Sequence, residues 1–138
     1  MDVETLNLNT KFISKTQLIL VIDDNADSLY LGRAILERDG FLVLTAGSGA
    51  EALQILEENN FPDLILLDMK MKEMTGADFL KKLEEKSPET ITKVPVVFYS
   101  ALDRMPKSKA CGFIRKAGTI DQFLDAVHGF LKSNSMLH

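Results

Sequence analysis

The sequence has a single cysteine, Cys111, so no internal disulfide is available and a reducing compartment suits it. No apolar run approaches the roughly 20 residues that a membrane-spanning helix requires. The first sixteen residues, MDVETLNLNTKFISKT, lack the apolar core of a secretory signal. Positive charge is also short: 16 Lys and Arg stand against 20 Asp and Glu, for a net charge of −4. A nucleic acid or an anionic membrane would want a basic face, so neither is an expected partner. The expected location is the cytoplasm. Internal repeats and low-complexity segments are missing as well.

What remains is an ordinary globular composition. The 138 residues are 46% hydrophobic and 26% charged, enough for one domain with a normal core. Residues 1–16 are polar and weakly patterned, and are expected to form an N-terminal arm. Residues 17–132 carry the domain, and 133–138 (SNSMLH) are expected to be a flexible tail. Within the domain, short apolar runs alternate with helical patterns. The strand candidates are LILVID (18–23), FLVLTA (41–46), DLILLD (63–68), VPVVFYS (94–100) and CGFIRK (111–116). The first, third and fourth are continuous apolar runs, which suits parallel strands covered on both faces.

Helices are expected from Ala26 to Asp39 with Gly40 as the stop, from Ser48 with Glu51 in a capping box, and after Gly76. A last helix opens at Thr119 with Gln122 at the reciprocal position. Between the fourth and fifth strands, ALDRMPKSKA (101–110) is polar and broken by Pro106, so a fourth helix there is expected to be shortened or missing. Alternating βα units imply an α/β fold with a doubly wound, five-stranded parallel sheet and helices on both faces.

In such sheets, function gathers at the carboxyl ends of the strands. Those ends carry Asp23 and Asp24, Asp68, Ser100 and Lys116. If the strand order is 2-1-3-4-5, strands one and three lie about 4.8 Å apart, and the three acids converge. Carboxylates that close raise one another's pKa, and a hard divalent cation relieves them. Mg²⁺ is held by one or two carboxylates together with phosphate oxygens. Lys116 offers a mobile point charge and Ser100 a hydroxyl for those oxygens. An aspartate nucleophile, a metal, a cation and a hydroxyl are the parts that phosphoryl transfer needs.

VIDDNADS, LILLDMKMKEMTG, VVFYSA and FIRKAG resemble, in order and spacing, the receiver domain of two-component response regulators, over about Gln17 to Lys132. The resemblance implies the flavodoxin-like strand order 2-1-3-4-5. It implies that Asp68 accepts a phosphoryl group from a histidine kinase or histidine phosphotransfer protein, and that output is contact with a downstream protein. It implies that Asp24, Asp68 and the backbone carbonyl of Lys70 bind Mg²⁺ directly, with Asp23 acting nearby. Ser100, the backbone of Ala101 and Lys116 would hold the phosphoryl oxygens. Ser100 and Phe113 would form the switching pair. Such a domain is a phosphoacceptor, not an enzyme with an external substrate.

The chain departs from the family pattern in four places. Lys70 puts a second ammonium near the site, able to pair with Asp23 or Asp24. Lys72 replaces a common proline. Ala117 replaces the proline that usually follows the lysine, where a cis bond would be costly. Sixteen positions separate Ser100 from Lys116, fewer than the family uses.

Taken singly, the residues have plainer readings. Asp24 could cap the first helix, Asp68 could form a turn, and Ser100 and Lys116 could be solvated strand ends. Cys111 reads as a small buried hydrophobe, and His128 as a solvated cation. The alternative function is a pseudo-receiver that binds partners without phosphorylation. A phosphatase of the haloacid dehalogenase kind would need an acid where Lys70 stands, and a flavin loop would not be acidic like DDNADS.

Overall fold

The computed structural model describes residues 16–58, 61–101 and 109–137. The elements in chain order are β1 (Leu18–Ile22), α1 (Ala26–Arg38), β2 (Leu42–Ala46), α2 (Gly49–Glu58) and β3 (Leu64–Leu67). There follow α3 (Gly76–Lys86), α4 (Pro88–Lys93), β4 (Val96–Ser100), β5 (Gly112–Arg115) and α5 (Ile120–Leu137). The strands form one sheet in the order β2-β1-β3-β4-β5, and every pairing is parallel.

The central strands are apolar throughout because both sheet faces are covered. Successive side chains alternate between them. Leu20, Ile22, Ile65, Leu67, Val96 and Phe98 pack with Phe79, Leu80 and Leu83 of α3 and with Ala52 and Leu53 of α2. Ile19, Val21, Leu64, Leu66 and Val97 pack with Leu36 of α1 and with Phe123, Val127 and Leu131 of α5. One register step would exchange the two sets, so the pairing of Ile22 with Leu67 at the carboxyl end of the sheet is firmly set.

Local signals fix the helix ends. The α1 stop is a Schellman turn, in which Gly40 at φ +98° donates to the Glu37 carbonyl and Phe41 to the Leu36 carbonyl. At α2, Ser48 Oγ accepts from the Glu51 N–H, while the Glu51 carboxylate accepts from the Gly47 N–H, one residue before the expected partner. At α5, Thr119 and Gln122 form the reciprocal pair.

Several expectations need correction. Helix α4 is additional: Pro88 opens it, and Lys93 pairs with Glu89 at 2.6 Å. It precedes β4, so it is not the weak fourth helix of the sequence reading, whose residues 102–108 lie outside the described residues. So does nearly all of the N-terminal arm. Helix α5 runs through Leu137, beyond Lys132 where the sequence pattern ends the domain. Strand β4 starts at Val96 because Pro95 has no N–H to donate; its carbonyl accepts from Ile65 instead. Cys111 is exposed, not buried. Among the described residues, no helix is long and apolar enough to cross a membrane.

Candidate functional site

Backbone pairing carries the strand ends into the site. Asp68 N–H donates to the Ile22 carbonyl at 2.9 Å, Asp23 N–H to Ala46 at 3.0 Å, and Lys116 N–H to Ser100 at 2.9 Å. Adjacent strand ends thus present Asp23, Asp24 and Asp68 together, with a carboxylate oxygen from each within 4.8 Å of the others. Asp23 and Asp68 are buried, only 2% and 8% exposed. Asp24 is partly exposed, beside a cavity of about 280 Å³ that Gly47 to Ala50 and Met71 to Met74 also line.

Each acid has its own partners. Asp23 Oδ2 accepts from Lys116 Nζ at 2.5 Å, and its Oδ1 from the Asn25 N–H at 3.0 Å. Asp24 Oδ2 accepts from the Lys72 N–H at 2.9 Å. The α1 cap is Asn25, whose side chain accepts from the Ser28 N–H at 2.9 Å, so Asp24 is not spent on capping. The ion pair with Asp23 or Asp24 that was open to Lys70 does not form. The Lys70 ammonium has none among the described residues, and its N–H lies a weak 3.5 Å from Asp68 Oδ1. No cis peptide occurs among the described residues, so Lys116–Ala117 is trans.

Burial pushes the Asp68 carboxyl up to about 6. The Lys116 charge opposes that rise, and the Asp23 charge adds to it. Tyr99 is raised as well, by burial first and Asp23 second. An oxygen-only set of three acids with one carboxyl already destabilised as the anion fits a hard divalent cation better than any soft metal. Ser100 is 2% exposed at the end of β4, and Ala101 follows it, exposed. Phe113 stands on β5 opposite Phe98 and packs, partly buried, on the α2–α3 side of the sheet.

Sequence reasoning missed two contributors, Asp63 and Tyr99. Asp63 accepts from the Leu18 N–H at 2.7 Å and ties β1 to β3 at the far end of the sheet. Tyr99 lies with its ring 5.4 Å from Lys116 Nζ. Gly76, legible in the sequence at the start of the third helix, also shapes the site. A Cβ there would lie 2.6 Å from the Asp68 carbonyl oxygen and 2.8 Å from the Phe98 ring. Gly76→Ala is therefore expected to lower the unfolding free energy by about 1–3 kcal/mol, measured by urea denaturation. An unchanged midpoint would mean that the loop carrying Asp68 yields freely.

Comparison with known proteins identifies the family of the fold. A family model described as the response regulator receiver domain matches residues 19–128. Sporulation initiation phosphotransferase F of Bacillus subtilis is 34% identical over 121 residues, covering 84% of this chain and 96% of that protein. The polar-differentiation response regulator DivK of Brucella ovis is 27% identical over 122 residues, covering 84% and 97%. A solved receiver domain from Clostridium thermocellum is 32% identical at a TM-score of 0.75, covering 88% of this chain and 99% of that one. A CheY-like receiver domain protein from Methanospirillum hungatei shares the fold at a TM-score of 0.78 and 23% identity, covering 90% and 100%. With these matches spanning most of its length, the chain belongs to the response regulator receiver domain family.

Proposed function

We propose that this receiver is a phosphoryl-accepting switch of a two-component phosphorelay. Asp68 takes the phosphoryl group from a phosphohistidine on a histidine kinase or histidine phosphotransfer protein, and the altered surface engages a downstream protein. The observation that carries this reading is the convergence of Asp68, Asp23 and Asp24 within 4.8 Å, with Lys116 already drawn in by Asp23. The similarity to a sporulation initiation phosphotransferase is in line with it.

In the transfer step, an oxygen of ionised Asp68 bonds to phosphorus and the P–N bond to the donor imidazole breaks. The departing nitrogen takes a proton from water, and Asp68 becomes an acyl phosphate. Asp23, Asp24, Asp68 and the Lys70 carbonyl would hold Mg²⁺, which when bound neutralises charge on the phosphoryl oxygens. Lys116 supplies a cation to one of those oxygens, and the Ser100 hydroxyl and the Ala101 N–H donate to others. Drawing Ser100 toward the phosphoryl group frees space for Phe113 to turn inward, which is the proposed output motion.

The test is the intact mass of the full chain after incubation with acetyl phosphate and Mg²⁺. One phosphoryl adduct is expected. A folded chain that takes no adduct from acetyl phosphate or from a phosphohistidine donor would leave the pseudo-receiver reading in its place.

A further inference from the structure

The Lys116 backbone is tied to the sheet through its N–H on the Ser100 carbonyl at 2.9 Å, but that bond does not fix its long side chain. The residue follows β5 in a turn, and Ala117 after it has no ring to fix φ. A lysine side chain also carries about 2 kcal/mol of rotamer entropy. An ammonium that must meet phosphoryl oxygens therefore has to be held by its neighbours, and two of them do so. Asp23 accepts from Nζ, and the Tyr99 ring lies 5.4 Å from the same atom.

Tyr99 precedes Ser100 on β4, so its side chain points to the opposite sheet face. There its ring packs on Phe123 of α5, with centroids 4.8 Å apart and planes tilted by 34°. The ring is thus backed by the core. The Lys116 side chain is 21% exposed and that of Asp23 is 3% exposed. Partial desolvation strengthens the attraction between an ammonium and an aromatic face. That attraction uses none of the three N–H donors, which stay available to Asp23 and to incoming oxygens.

We propose that Tyr99 is a positioning residue for Lys116: its ring, backed by Phe123, holds the ammonium beside Asp23, ready for phosphoryl oxygens on Asp68. The inference rests on the phosphoryl-accepting reading above. It gives the ring, and not the hydroxyl, the working role, so phenylalanine should replace tyrosine without loss.

The test compares the full-length wild type, Tyr99→Phe and Tyr99→Leu by two measurements. The first is the NMR shift of the Lys116 ε-methylene protons, assigned by their disappearance in Lys116→Arg. Ring current should move them upfield in the wild type and in Tyr99→Phe, and the displacement should vanish in Tyr99→Leu. The second is the labelling rate with acetyl phosphate: within about twofold of wild type for Tyr99→Phe, and about fivefold slower for Tyr99→Leu. Undisplaced Lys116 protons in the wild type would overturn the inference, whether or not the leucine variant folds. So would a phenylalanine variant as slow as the leucine one, or a leucine variant at the wild-type rate. A wild type that shows the ring-current displacement but takes no label would sink the phosphoryl-accepting reading and leave the Tyr99–Lys116 contact standing.

Discussion

Replacing Asp68 by asparagine is expected to abolish the phosphoryl adduct formed with acetyl phosphate and Mg²⁺, and also to make the metal-free protein more stable near pH 7.5. The first effect follows because the amide nitrogen and oxygen of asparagine are no substitute for an anionic nucleophile. Asp23 and Asp24 do not take over: one is engaged by Lys116, the other by the Lys72 N–H. The second effect follows from the raised carboxyl, about 6 in the fold against an ordinary 3.8. The folded state binds that proton more tightly than the unfolded chain does, so stability falls as pH rises between those values and stays reduced above. Asparagine removes the buried charge. With allowance for solvent screening, the gain is roughly 1–2 kcal/mol at pH 7.5, shrinking toward zero below pH 4. Urea denaturation of both proteins across pH 4 to 8 without metal reads it directly. A variant that still gained the adduct would move the acceptor elsewhere, and a stability difference that did not change with pH would remove the buried-charge argument.

The sequence revealed the sheet because β1, β3 and β4 are covered on both faces, which leaves continuous apolar runs. The meeting of Asp68 with Asp23 and Asp24 was legible for a related reason: parallel βα units deliver every strand's carboxyl end to the same edge, so polar residues ending apolar runs had to meet there. Contacts across long separations were not legible. Lys116 and Asp23 lie 93 positions apart, and nothing in the spacing says that Lys116, and not Lys70, takes the Asp23 carboxylate. Neither does any pattern show that the Tyr99 ring turns under that lysine. Residue type alone left Asp24 as a possible cap of α1, and the fold gives that role to Asn25. Helix α4 was missed because six residues containing two threonines and an isoleucine have little helical propensity; Ser87-Pro88-Glu89 and the Glu89–Lys93 spacing were the available signals. Cys111 was misplaced because β5 is an edge strand, open on one side.

Asp24→Ala is the second large effect, and the structure makes it a clean probe. Asn25, not Asp24, caps α1, so helix and sheet keep their supports when the carboxylate goes. The loss on the protein side is one hydrogen bond from the Lys72 N–H, at the surface of the loop after β3, about 1 kcal/mol or less. The loss on the metal side is a whole anionic oxygen donor from a three-carboxylate set. Mg²⁺ prefers hard anionic oxygens and replaces a missing one only with water. A direct carboxylate ligand is worth well over 1.4 kcal/mol, so the Mg²⁺ dissociation constant should rise by at least about tenfold. Labelling by acetyl phosphate at fixed Mg²⁺ should fall with it. Asp23→Ala is a poorer probe, because it also strips Lys116 of its ion pair and the Asn25 N–H of its acceptor. The measurement is calorimetric titration of Mg²⁺ into wild type and Asp24→Ala, with circular dichroism to show that both are folded. Equal affinities in two folded proteins would mean that the cation, if it binds, sits away from Asp24, and the assignment of the three acids to one metal would fail.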